Sequence, residues 1–122
     1  MVMDISRAIG EMKKEPGFND SVGMILVHNG VVRGWSRKDR SSVETIDVSA
    51  DTEKMNALRD EYLKKPGIYK ILIEAKSGRL RPGDDLLFIV VAGDIRENVK
   101  PVLSELLDRI KSEAVTKTEI PA

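Results

Sequence analysis

The chain has no cysteine. Disulfides, thiolate metal sites and cysteine nucleophiles are therefore excluded. It has one histidine, His28, so a cluster of histidine metal ligands is excluded too. Aromatic residues make up only 4% of the 122 residues, against 41% hydrophobic residues in all, so the core must be built mainly from Ile, Leu, Val, Met and Ala. Charge is plentiful but has no excess of either sign, with 20 basic and 20 acidic residues. A general nucleic-acid binder or a binder of anionic membranes favours a basic surface, so neither partner is expected. No apolar run approaches membrane-spanning length, and the N-terminal Met-Val-Met-Asp-Ile-Ser-Arg lacks the apolar core of a signal peptide. The expectation is a cytoplasmic protein with one domain spanning residues 1–122.

What is there divides into short apolar segments. Ile5, Ala8, Ile9 and Met12 fall at helical spacing, so Ile5 to Lys14 reads as a helix capped by Asp4 and ended by Glu15-Pro16-Gly17. Asn19-Asp20-Ser21 signals a turn. Val22 to Val32 reads as a strand whose Asn29-Gly30 marks a bulge or bend. Gly34 to Ser42 is a polar, basic loop, and Val43 to Val48 a weakly alternating strand. Asp51 to Lys64 reads as a helix with Met55, Leu58 and Tyr62 on its buried stripe, capped by Asp51 or Thr52 and stopped by Pro66-Gly67. Ile68 to Ala75 reads as a strand, with a further short strand near Leu80. Leu86 to Ala92 is the most apolar stretch and reads as a central strand buried on both faces. The last helix is expected from about Asn98 to about Ala114, which would put Pro101 in its first turn. This order gives an α+β fold, a mostly antiparallel sheet with helices packed on it.

Four features carry possible chemistry. Arg33, after Gly30-Val31-Val32, stands where a guanidinium can hold a phosphate or carboxylate, or where a hairpin loop simply meets water. Arg96, after Gly93-Asp94-Ile95, sits at a strand-to-helix turn that reads equally as an anion site or as a turn capped by Asp94 or Asn98. Lys111 falls in the last turn of the final helix, with Lys117 and Glu119 beyond. Such a lysine either complements the helix dipole in water or, in a desolvated pocket, takes part in proton transfer. Leu80-Arg81-Pro82-Gly83-Asp84 reads as a structural turn.

Set in order, these pieces resemble the large subunit of molybdopterin synthase. The matching stretches are Val22-Gly23-Met24-Ile25 leading into Gly30-Val31-Val32-Arg33, then Met55, Gly67-Ile68 and Gly78-Arg79-Leu80-Arg81-Pro82-Gly83-Asp84-Asp85. Val90-Val91-Ala92-Gly93 with Arg96, and Lys111 with Lys117-Thr118-Glu119, complete them. The resemblance implies an α/β-hammerhead fold and a homodimer. It also implies a small ubiquitin-like sulfur-carrier subunit, whose C-terminal thiocarboxylate enters a pocket and delivers sulfur to cyclic pyranopterin monophosphate to give molybdopterin. No resident cofactor or metal is implied. Arg33 and Arg96 match the family's substrate-binding arginines. Lys111 matches the catalytic lysine, and Lys117 the second active-site lysine if one residue is missing from the loop before it. Arg33, Arg96 and Lys111 are then expected to converge on one concave site, with Arg96 reaching it across the dimer interface.

The chain departs from the family pattern at several points. Ile95 and Ala75 stand where the family has histidines. Val48-Ser49-Ala50 holds no counterpart of a third, and Thr116 replaces an aromatic. The stretch after Glu119, ending at Ala122, is shorter than the family segment that helps cover the pocket. These departures imply an alternative: a non-catalytic or repurposed relative that dimerises and binds a ubiquitin-like carrier or a phosphorylated small molecule.

Overall fold

The most apolar stretch of the chain lies in the middle of a sheet covered on both faces. In the computed structural model, which describes residues 3–122, the elements in chain order begin with α1 (Ile5–Met12), the one-turn α2 (Phe18–Ser21), β1 (Met24–Val31) and β2 (Val43–Ala50). They continue with α3 (Thr52–Leu63), β3 (Ile68–Ala75), β4 (Gly78–Leu80), β5 (Asp85–Gly93), α4 (Arg96–Glu113) and β6 (Val115–Pro121). The N-terminal expectation that falls on Met1 and Val2 lies outside the described residues.

β5 runs antiparallel between β1 and β3. Because strand side chains alternate between faces, Leu87, Ile89 and Val91 join one core with Leu58 of α3 and Leu106 and Ile110 of α4. Val90 and Ala92 join another with Met12 of α1 and Phe18 of α2. Each large apolar side chain shut away like this contributes about 1.5–3 kcal/mol. The turn expected at Asn19 to Ser21 is thus one turn of helix, held in place by Phe18 beneath it.

The antiparallel pairing expected for an α+β fold is present, but it is divided between two three-stranded sheets. In the second, β2 lies between β4 and β6. Its inner face, Val43, Ile46 and Val48 with Leu80 of β4, closes over the first core. Strict alternation would put Val43 opposite Ile46. A register shift between Val43 and Thr45 brings both inside, which explains the weak pattern of this strand. A shift between Gly30 and Val31 is the irregularity that Asn29-Gly30 foretold in β1.

α3 keeps its expected bounds within a residue. Asp51 is the N-cap, its carboxylate accepting the Lys54 amide at 3.0 Å. After the helix the chain reverses at Gly67, with φ 78°, and a Cβ there would lie 2.2 Å from the Asp94 carboxylate, so only glycine fits.

Two expectations need correction. α4 starts at Arg96, so Pro101 is its sixth residue and lies beyond the first turn. The proline leaves the Glu97 carbonyl without the usual amide partner, at the exposed end of the helix where water can serve it. The residues after α4 form a strand, β6, which was not expected because Val-Thr-Lys-Thr-Glu-Ile-Pro offers little apolar alternation. Only Val115 and Ile120 in it are half-buried, and backbone pairing along β2 defines it.

Candidate functional site

β1 delivers the chain to Arg33 just past its bulge. α4 carries Lys111 in its last turn, and β6 returns along β2 with Lys117 and Glu119 on one face. These elements meet around a cavity of about 410 Å³. His28, Arg33, Arg37, Lys111, Lys117 and Glu119 give it polar walls, and Val32, Ile46, Leu86 and Leu87 line it with apolar surface. Arg33 and Lys111, two of the three residues expected to converge, line this concavity together with Lys117, although 84 residues separate Arg33 from Lys117 along the chain. Thr116 and Thr118, on the opposite face of β6, line a separate shallow groove with Asp47 and Arg79.

The basic loop after Arg33 is a folded structure. Ser36 donates its amide to the Ser41 carbonyl at 2.8 Å and accepts the Arg40 amide at 2.8 Å, and Trp35 bridges to Ser42. The guanidinium of Arg33 lies 4.8 Å from the centre of the Trp35 ring, and that of Arg40 lies 4.2 Å from it. Stacking on an aromatic ring fixes the plane of a guanidinium, so Arg33 reaches the cavity partly preorganised.

Four cationic side chains and one carboxylate set the electrostatics. The Lys117 ammonium is held below the ordinary lysine range, first by partial desolvation, then by the like charges of Lys111 and Arg33. Glu119 opposes the shift. His28 is also lowered, chiefly by burial and secondly by the charge of Lys111. Such an arrangement can neutralise an oxyanion or a thiocarboxylate and can move a proton at Lys117.

Arg96 is not part of this cavity within one chain. It stands at the first turn of α4, fifteen residues from Lys111, which on a helix means about 22 Å. Its guanidinium is exposed and lies 3.6 Å from Glu97. Beside it the Ile95 side chain is 53% exposed. Sequence reasoning also missed His28 as a lining residue. The available signal was Gly30 two positions on, the next residue on the same face of β1. A Cβ there would come 3.0 Å from the histidine Nε2, so the glycine leaves room for the ring.

Among the described residues no group of three or more His, Asp or Glu side chains is placed to hold a metal ion, and no helix is long and apolar enough to cross a membrane.

Residues 3–113 match the MoaE protein family. No curated protein matches the chain in sequence. Among solved structures, molybdopterin synthase from Staphylococcus aureus is similar with a TM-score of 0.71, at 25% identity, over 83% of this chain and 76% of that one. Molybdopterin cofactor biosynthesis protein E from Burkholderia multivorans reaches a TM-score of 0.74 at 19% identity, over 100% of this chain and 86% of that one. A protein–protein complex of subunits 1 and 2 of molybdopterin-converting factor from Helicobacter pylori includes a chain with a TM-score of 0.69 at 14% identity, over 95% of this chain and 78% of that one. The last two likenesses speak to the fold alone. With nearly its whole length matched, this chain belongs to the MoaE protein family, a family of molybdenum cofactor biosynthesis.

Proposed function

We propose that this chain is the large subunit of a molybdopterin synthase, transferring sulfur from the C-terminal thiocarboxylate of a small ubiquitin-like subunit to cyclic pyranopterin monophosphate. The observation that carries this reading is the meeting of Arg33, Lys111 and Lys117, from three separate elements, around one cavity with an apolar side. Arg33 binds the substrate phosphate through its planar fork. Lys111 neutralises the thiocarboxylate as sulfur leaves it. Lys117, with its ammonium already biased toward releasing a proton, handles the proton that moves during transfer. The absence of cysteine fits a sulfur atom that arrives on another chain. The Helicobacter pylori complex, which pairs two subunits of molybdopterin-converting factor, is consistent with such a partner.

Arg96 enters this scheme from a second copy of the chain in a homodimer. Its distance from Lys111 along α4 keeps it out of its own chain's cavity. The second reading, a carrier-binding relative without catalysis, is favoured by Ile95 and Ala75, which bring no titratable group where the resemblance implies histidines.

The deciding experiment incubates the protein with thiocarboxylated small subunit and cyclic pyranopterin monophosphate and assays molybdopterin. Product that is lost in Lys111→Ala supports sulfur transfer. A stable complex with the small subunit but no product supports the second reading.

A further inference from the structure

We propose that His28 is the proton-uptake residue of the cavity: its imidazole is neutral while the cavity is empty and gains a proton when an oxyanion is seated among Arg33, Lys111 and Lys117. The inference rests on the reading of this cavity as an anion site, but not on sulfur transfer.

The geometry begins with β1. Side-chain alternation places His28 on the same face as Met24 and Leu26, the face that packs toward α4, and opposite Ile89 of β5. The ring lines the cavity, yet its Nε2 is sealed from solvent and has no hydrogen-bond partner among the described residues. Native interiors rarely leave a buried polar atom unpaired without a reason. The space around it is reserved by Gly30, whose missing side chain would otherwise press on Nε2 at 3.0 Å. A polar, ionisable ring has therefore been accommodated where an apolar side chain would face no such penalty.

The surroundings decide its charge. β5 brings only Leu86 and Leu87 to the cavity, and β2 only Ile46. The charged groups are Arg33 and Arg37 from the loop after β1, Lys111 from α4, and Lys117 and Glu119 from β6. A proton on His28 would add a fifth positive charge to four that face a single carboxylate, at a half-buried position. Desolvation first, and the charge of Lys111 second, accordingly hold the imidazole below its ordinary value of 6.5. A divalent oxyanion among the same cations offsets their charge and so removes the electrostatic part of that penalty. An opposite charge within about 4–6 Å raises such a group by about 1–3 units. Since the group is then raised on binding, the complex takes up a proton. Anion affinity climbs as pH falls through the bound value and levels off below the free one.

His28 is the chain's only histidine, so its ring resonances identify themselves. The experiment follows those resonances by NMR from about pH 8 down to about pH 5, across the ordinary histidine range. The titration is run with and without sodium sulfate at matched ionic strength, sulfate being divalent throughout. The expected result is a midpoint below the ordinary histidine value without sulfate. With sulfate the midpoint should rise by about one unit or more, and sulfate affinity should tighten about tenfold from high to low pH. His28→Gln should still bind sulfate at pH 8 but should lose most of the tightening that the parent shows as pH falls. A midpoint unmoved at saturating sulfate, or no sulfate binding at all, would overturn the proposal. Its fate separates from that of the enzymatic reading. A sulfate-raised midpoint in a protein that makes no molybdopterin keeps the proton uptake and rejects the catalysis. An unmoved midpoint in a protein that does make it does the reverse.

Discussion

The guanidinium of Arg33 lies over the indole of Trp35, 4.8 Å from the ring centre, and Arg40 covers the same ring at 4.2 Å. Trp35 does not line the cavity, so its part is to hold Arg33 at the rim. A cation–π contact at an exposed position contributes about 0.5–1 kcal/mol. Trp35→Ala should therefore weaken anion binding by about two- to fivefold, since 1.4 kcal/mol corresponds to a factor of ten. Steady-state kinetics of molybdopterin formation should show this as a raised KM with kcat little changed, because the loosened arginine costs ground state and transition state alike. A kcat loss as large as that of Lys111→Ala would place Trp35 in the chemistry instead.

Lys111 and Lys117 should part company when each is replaced by arginine. Lys111→Ala is expected to lower kcat by about 10²–10³-fold, the usual cost of losing one charge-stabilising group. Lys111→Arg keeps the charge and should recover a good part of that. Lys117, whose ammonium is biased toward deprotonation, is assigned the proton. An arginine cannot release one near neutral pH, so Lys117→Arg should be as impaired as Lys117→Ala. Equal rescue at both positions would mean that charge alone is needed at 117.

Gly30→Ala tests the packing beneath the site. The new methyl would stand 3.0 Å from His28 Nε2 and 3.5 Å from the Leu87 carbonyl. The imidazole is the part that can give, so the cost should stay near the low end of overpacking, about 1 kcal/mol. Denaturant unfolding measures that loss, and a displaced His28 ring resonance shows where the strain went. A variant as stable as the parent with an unmoved histidine would mean that Gly30 is there for the bulge alone.

How much of this was legible depends on what each segment buries. β5 and α3 stood out because Leu86 to Ala92 is apolar without a break and because Met55, Leu58 and Tyr62 repeat at helical spacing. β6 did not. Its residues are mostly exposed and its strand is made by backbone bonds to β2, which leave no mark on side-chain choice. Lys117 could therefore be linked to Lys111 only by resemblance, and it is the antiparallel return of β6 that brings the two together. Pro101 misdated the start of α4, because proline is a better sign of a first turn than of a second. His28 was hidden for a different reason. A lone histidine in a strand has no motif, and what distinguishes it is its burial in the folded chain and, secondly, the charge of Lys111, far away in the sequence.

The last turn of α4, which carries Lys111, also gives a prediction about stability. Arg109 donates to Glu113 at 2.7 Å, Lys54 of α3 approaches the same carboxylate at 3.2 Å, and Arg109 also reaches Glu61, tying the end of α4 to α3. Hydrogen bonds from Arg109 and then Lys54 push the Glu113 carboxyl from 4.5 down to about 2. In the folded protein it stays charged to about pH 2, whereas in the unfolded chain it takes up a proton near 4.5. Between these values the unfolded state binds more protons, so the stabilisation is complete above pH 4.5 and drains away as pH falls toward 2. Glu113→Gln, which cannot be charged at any pH, should lower the thermal midpoint at pH 7 and flatten the acid limb of the midpoint–pH curve in that window. The pair is exposed to solvent, so about 1 M salt should shrink the difference between variant and parent. A Glu113→Gln acid limb as steep as that of the parent would show that other carboxylates carry the acid sensitivity.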